Sequence, residues 1–344
     1  MNESIISILP GNEGDFLSLH GIYRGGIDLI KAVQVIENPV LTAFMKILTT
    51  LGTEYVYILI TLFVFWCVSE KKGVRLGMLI LLSAWINGFL KFLLKHPRPY
   101  HLDPSVGLAF ESSYGIPSGH AQLSLVFWVL IASWYGGKRK TAVKTAAILF
   151  TLLIGFTRLY LGVHFPTDLL AGWFLGALIL ALYFFLETPV TALLNRGIPG
   201  IVPGGPRLRM ICAALIALGM NALFPQDTSL GGLFLGFCAG YNLMLKHSPF
   251  SAGPGGEQTA GNLIRLGLRY LAGLAGTVCI YLGLRLLLPG ESSLWAPLGG
   301  GLSPYYSLSR FLQYGLLGIW TTWGTGGVFL RLNLAERRAE CSGG

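Results

Sequence analysis

The stretch "LLAGWFLGALILALYFFL" (residues 169–186) carries no charge and is long enough to cross a bilayer as a helix. Three further apolar runs approach that length: "YVYILITLFVFWCV" (55–68), "LGMLILLSAWINGFLKFLL" (76–94) and "LSLVFWVLIASWY" (123–135). The loops between them are short. The pattern is therefore an all-α, polytopic transmembrane helical bundle with no sizeable water-soluble domain. Composition agrees. The 344 residues are 53% hydrophobic and 12% charged, about half the charge of a soluble domain.

Extending this reading along the chain gives about nine spans, near 52–69, 74–95, 118–136, 142–160, 165–187, 209–225, 229–246, 264–289 and 308–331. Residues 1–50 are mixed in character. Arg24, Asp28 and Lys31 interrupt apolar residues at roughly helical spacing, so this segment reads as an interfacial amphipathic helix. Glu3, Glu13 and Asp15, with no apolar run, argue against a signal peptide in residues 1–20. Pro and Gly in "ETPVTALLNRGIPGIVPGGPRLR" (187–209) mark a linker. The expected organisation is an N-terminal segment (1–50), a core (51–187), a linker (188–208) and a C-terminal transmembrane extension (209–344). In that extension Gly232, Gly236 and Gly240 form a stripe that lets helices approach closely.

The net charge is +9, which in a soluble protein would suggest nucleic acid. In a membrane protein it reflects basic loops retained in the cytoplasm, and no nucleic-acid partner is expected. Lys71, Lys72 and Arg75 fall on the same side as Lys138, Arg139, Lys140 and Lys144, with Arg196, Arg207 and Arg209. That side reads as cytoplasmic. The opposite side, with the loops near 95–117 and 158–165, then faces the periplasm or a lumen. Four of the five cysteines lie in apolar stretches without a CxxC or Cys/His pairing, which supports neither a disulfide framework nor a zinc site.

The outer loops break the charge rule locally. "KFLLKHPRPY" holds Lys91, Lys95, His96 and Arg98, and "TRLYLGVHFPTD" holds Arg158, His164 and Asp168. Lys91 and Arg98 are two helical turns apart and share a face. They read either as snorkelling residues at headgroup level or as a grip on a phosphate, Arg98 by its fork and Lys91 as a point charge. In "PSGH" (117–120), Ser118 fits a helix N-cap and Gly119 permits close backbone approach, so the first-turn amides form an anion site. His120 lies in that turn. With a helix starting near Pro166, Asp168 reaches one ring nitrogen of His164 and leaves the other free as a nucleophile. Arg158 is a third candidate phosphate ligand. Each feature alone is commonly structural. Their convergence at one end of one bundle points to function, because ionisable groups are costly in a membrane.

These residues resemble the three motifs of the type 2 phosphatidic acid phosphatase superfamily: KxxxxxxRP, PSGH and SRxxxxxHxxxD. Here they read "KFLLKHPRP" (91–99), "PSGH" (117–120) and "TRLYLGVHFPTD" (157–168), with Thr157 in place of the usual Ser. The resemblance covers about residues 50–187. It implies a metal-independent phosphatase in which His164 attacks phosphorus, Asp168 orients it and His120 protonates the leaving group. Lys91, Arg98, Arg158 and the amides around Ser118 and Gly119 would hold the phosphate oxygens. No run of Asp or Glu suited to magnesium is present, and no cofactor is expected.

The substrate class expected from a site at headgroup depth is a lipid phosphate: an isoprenyl (di)phosphate, phosphatidate, phosphatidylglycerophosphate or a sphingoid-base phosphate. Nine spans and the "KFLLKHPRPY" stretch are also similar to glucose-6-phosphatase, which raises a soluble phosphate ester as an alternative. A phospho-headgroup transferase or a transporter is a third reading. The last four spans lie outside the motifs; they could shape a lipid entrance, stabilise a homodimer or bind something else.

Overall fold

The computed structural model describes residues 13–198, 202–253, 260–288 and 306–338, which are predominantly helical. The C-terminal tail beyond residue 338, with Cys341, lies outside them. The chain forms two compact units, one of residues 1–57 and 83–185, the other of residues 58–82 and 186–344.

The first unit begins with α1 (Glu13–Gln34) and α2 (Pro39–Thr50). The single interfacial segment read from sequence is thus two helices. The break has a local cause: Asn38 caps α2, its side chain accepting from Leu41 N at 2.9 Å, and Pro39 takes the first helical position. α1 packs against the rest of the first unit. It buries Tyr23, Ile27 and Ile30 in a cluster with Val106 and Phe165. Gln34 donates to the carbonyls of Val106 and Tyr160, and Lys31 pairs with Asp103 at 2.7 Å.

α3 (Glu54–Phe63) continues through a π turn at Val64–Val68, and α4 (Glu70–Leu94) follows. α5 (Gly119–Tyr135) starts at Ser118, α6 covers Lys140–Tyr160, and α7 runs Pro166–Arg196. α7 therefore extends nine residues past the end of the span read from sequence at 187, continuing through Pro189 into the expected linker. A proline removes one backbone donor and bends a helix without necessarily ending it. Within the first unit, α7 lies very close to α5. A Cβ on Gly172 would sit 2.6 Å from the Ser118 carbonyl oxygen, and one on Gly176 would sit 2.9 Å from that of Gln122. Polar side chains also join helices here. Asn87 donates to the carbonyls of Pro117 and the Gln122 side chain, and Gln122 donates to the Ser83 carbonyl and hydroxyl oxygens.

In the second unit, α8 (Pro206–Leu223), α9 (Ser229–His247) and α10 (Ala260–Leu287) precede α11 (Tyr306–Ile319), which passes through a π turn at Trp320–Gly324 into α12 (Thr325–Arg331). The glycine stripe of α9 faces α11 at backbone distance: Cβ atoms on Gly232 and Gly236 would fall 2.2 Å and 1.9 Å from the carbonyl oxygens of Phe311 and Gly315. The core of this unit is aromatic, with Phe65, Trp66, Phe237, Phe250 and Phe329 buried together.

Among the described residues, five helices are long and apolar enough to cross a membrane by themselves, or six if the pair Pro39–Thr50 and Glu54–Val68, bent by 46°, is counted as one span. α5, with 17 residues, is shorter than these.

Candidate active site

The site is built where α4, α5, α6 and α7 present their loop ends within the first unit. α4 ends before Arg98, whose backbone is extended (φ −97°, ψ 159°) ahead of Pro99, as the residue before a proline prefers. The guanidinium is 1% exposed and fully engaged. Nε donates to Ser113 O at 2.6 Å, Nη1 to Val163 O at 2.8 Å, and Nη2 to Ser113 Oγ and Tyr114 O at 3.0 and 3.1 Å. Lys91, two turns earlier on α4, donates to Tyr114 O and to Ser113 Oγ. Segment 113–115 thus supplies oxygen acceptors to both cations.

α6 ends at Tyr160, and the chain turns at Gly162 (φ 65°) before α7 begins at Pro166. Only glycine suits that position. Its backbone is left-handed, and a Cβ there would lie 1.8 Å from Val106 O. The turn presents His164, which is 2% exposed. Asp168 sits in the first turn of α7, is fully buried, and uses Oδ2 twice: it accepts from the Phe165 amide at 3.0 Å and contacts His164 Nδ1 at 3.1 Å. The first of these is half of a capping box, so the carboxylate that starts the helix also holds the imidazole. His164 Nε2 lies 3.3 Å from Arg98 Nη1. Arginine only donates, so Nε2 is the acceptor and the ring proton sits on Nδ1 toward Asp168. Burial, followed by the charges of Arg98, Lys91 and Arg158, keeps the His164 pKa well below the usual histidine range. The imidazole is neutral, and its Nε2 lone pair faces the Arg98 guanidinium.

Ser118 caps α5, accepting from Ala121 N at 3.5 Å, and its own amide donates to Asp168 O at 2.9 Å. That backbone bond ties the PSGH turn to the start of α7. Gly119 faces Asn87, where a Cβ would approach Oδ1 to 3.1 Å. His120 lies over Gly52, and its Nε2 is buried without a hydrogen-bond partner among the described residues. Arg158 is 3% exposed, donates to Thr49 Oγ1 at 3.1 Å and pairs with the Glu111 carboxylate.

Several of these partners were not singled out by sequence reasoning: Thr49, Glu111, Ser113, Asn87 and Gln122. Polar residues inside apolar helices were the available signal for Asn87 and Gln122. Thr49, Glu111 and Ser113 depend on the path of the loops, which leaves no periodic trace.

A family model described as the PAP2 superfamily matches residues 72–189. The chain is 30% identical over 166 residues to phosphatidylglycerophosphatase B of Bacillus subtilis (strain 168), covering 45% of this chain and 78% of that protein. The chain belongs to the PAP2 superfamily. The chain is also 26% identical over 169 residues to an undecaprenyl-diphosphatase of Sulfolobus acidocaldarius, covering 47% of this chain and 78% of that protein. Among solved structures it is similar to the PAP2-type phosphatidylglycerolphosphate phosphatase of Bacillus subtilis (TM-score 0.43, 28% identity, 52% of this chain and 90% of that one). A second model, the PAP2 superfamily phosphatase transmembrane extension, matches residues 228–337. It covers much of the C-terminal extension for which the motifs offered no role. The protein is accordingly an integral-membrane PAP2 phosphatase, a phosphoric monoester hydrolase.

Proposed function

We propose that this PAP2 phosphatase hydrolyses a lipid phosphate through a phosphohistidine formed on His164. The observation that carries the reading is the His164 constellation: Nδ1 on a buried carboxylate and an unprotonated Nε2 facing Arg98. Nε2 attacks phosphorus, and the bond to the leaving alkoxide oxygen breaks. His120 delivers the proton to that oxygen from Nε2, the buried nitrogen without another partner. The same nitrogen then takes a proton from water as the water oxygen attacks the phosphohistidine, releasing inorganic phosphate. Lys91, Arg98, Arg158 and the first-turn amides after Ser118 stabilise the charge on the transferring group, the main lever in phosphoryl transfer.

A lipid substrate is favoured by a cleft of about 320 Å³ beside the first turn of α7. Leu152, Phe156, Leu159, Leu169, Leu170 and Trp173 line it, with Pro166. An acyl or prenyl chain suits such walls; a sugar does not. The named relatives that act on phosphatidylglycerophosphate and undecaprenyl diphosphate point the same way.

Phosphate release by the purified full-length protein in detergent, with EDTA present, tests this. Release is expected from phosphatidate, phosphatidylglycerophosphate, an isoprenyl diphosphate or sphingosine 1-phosphate, and none from glucose 6-phosphate. Turnover of glucose 6-phosphate alone would move the assignment to a soluble ester, and loss of all turnover in EDTA would overturn the metal-independent reading.

We propose that the site faces the extracytoplasmic side. Lys138, Arg139, Lys140 and Lys144 gather at the start of α6, whose other end carries Arg158, so the basic-rich end is opposite the site. Phe110 in the outer loop is 75% exposed. A cysteine there, in a cysteine-free background, is expected to react with an impermeant maleimide on intact cells. Reaction only after permeabilisation would reverse the orientation.

A further inference from the structure

Asp168 has two carboxylate oxygens, and only Oδ2 is accounted for. Oδ1 is buried and has no hydrogen-bond partner among the described residues. At 3.5 Å from it lies Nδ1 of His96, which is also buried and also without a partner. The far nitrogen of the same ring, Nε2, is 2.8 Å from the hydroxyl of Tyr23 on α1. The tautomer follows from the chemistry of the neighbours. A carboxylate only accepts, so the His96 proton belongs on Nδ1. Nε2 is then the acceptor, and the Tyr23 O–H donates to it.

The ring is also fixed by packing. Tyr23 stands 5.2 Å from His96 and 5.2 Å from Phe165, centroid to centroid, and His96 meets Phe165 edge-on at 6.0 Å. Phe165 is the residue between His164 and the start of α7. α1 is pressed onto it at Gly26, where a Cβ would lie 2.7 Å from the Phe165 ring.

We propose that His96, set by Tyr23 of the N-terminal helix, is a positioning residue for Asp168, donating Nδ1–H to Oδ1 while Oδ2 holds His164. The proposal rests on His164 and Asp168 acting as nucleophile and orienting carboxylate. A closure of about half an ångström brings the observed 3.5 Å to an ordinary hydrogen bond. With both oxygens bonded, the carboxylate cannot rotate, and the direction of the His164 Nε2 lone pair is fixed. α1 lies outside the segment matched by the PAP2 family model, so this chain's own N-terminal helix completes the site.

The test uses three variants of the full chain in detergent, with phosphatidate as substrate and His164→Ala run alongside. His96→Phe keeps a ring without the donor. His96→Asn keeps a donor near the position of Nδ1. Tyr23→Phe removes one oxygen from α1 and tests the same link if the His96 variants do not fold. The expected result for His96→Phe is a fall in kcat of about tenfold, the scale seen for partners one step behind a working imidazole, with KM changed less than about twofold. His96→Asn should recover most of the loss, and Tyr23→Phe should lower kcat severalfold at an unchanged melting temperature. The proposal is overturned if His96→Asn is no better than His96→Phe, if the change falls on KM, or if Tyr23→Phe matches the unsubstituted protein. Retained turnover in His164→Ala would instead remove the nucleophile reading on which the proposal stands.

Discussion

Replacing His164 with alanine is expected to lower phosphate release by about 10⁴-fold or more while the protein stays folded. Among the described residues the ring makes two polar contacts, to Asp168 and Arg98, and Asp168 keeps its bond to the Phe165 amide when the ring is gone. The backbone around the site is held independently, by Ser118 N to Asp168 O and by the Gly162 turn. Chemistry should therefore fail without collapse. The companion change Asp168→Asn is expected to cost about 10²- to 10⁴-fold for a different reason. An amide can donate to Nδ1, which moves the ring proton to Nε2 and removes the lone pair from the attacking position. Short incubation with a ³²P-labelled lipid phosphate and acid-free quenching should trap a phosphoenzyme in the unsubstituted protein and none in His164→Ala. A trapped phosphoenzyme that survives the alanine substitution would assign the nucleophile elsewhere.

The largest stability effect is expected in the second unit, at Arg269. Its side chain is 3% exposed, and all three guanidinium nitrogens donate to backbone carbonyls. Nε and Nη2 bond Leu334 O at 2.8 and 2.6 Å, and Nη1 bonds Trp66 O, Ala252 O and Ser251 O at 3.0, 2.9 and 3.3 Å. One side chain thus joins the π turn after α3, the loop after α9 and the segment after α12. Arg269→Leu removes all of these donors and leaves buried carbonyls unpaired, each worth about 1–3 kcal/mol. A loss of about 3–5 kcal/mol is expected, read as a lowered melting temperature in detergent. Arg269→Lys should rescue only part of it, because a single ammonium has three donors at one point and cannot serve carbonyls spread around a planar fork. A melting temperature unchanged in Arg269→Leu would show that water or relaxation replaces the bonds.

Much of this arrangement is legible in the chain itself, where the signal is local. Hydropathy alone marks the long helices, and Ser118 before an apolar run marks the start of α5. The i,i+4 spacing of His164 and Asp168, with Pro166 between them, is enough to bring Asp168 Oδ2 to His164 Nδ1. Other features are not local. The carbonyls of residues 113–115 carry no side-chain signature, so nothing in the sequence says that they face Lys91 and Arg98. Thr49 and Glu111 reach Arg158 from distant points of the chain. Tyr23 meets His96 across 73 positions, and its helix reads as an ordinary amphipathic segment until its packing against Phe165 is seen. Asn38 followed by Pro39 was a readable helix start, a cap and a first-turn proline, that composition over residues 1–50 obscured. Pro189 misled in the opposite sense, since this helix continues through the proline to Arg196.

The contact of Gly172 and Gly176 with the first two turns of α5 has a consequence for tolerance. α5 carries His120, and α7 begins with Asp168 two residues after Pro166. Main-chain atoms set the separation of these two helices, and main-chain atoms have no rotamers to exchange. The gap between His120 and the His164–Asp168 pair, the proposed proton donor and nucleophile, therefore behaves as a fixed gauge. A thicker or thinner bilayer, a different detergent or a bulkier lipid tail can tilt the surrounding helices and repack their lipid-facing leucines. The gauge does not follow, so turnover by the proposed mechanism is expected to change little between detergents or bilayers of different thickness.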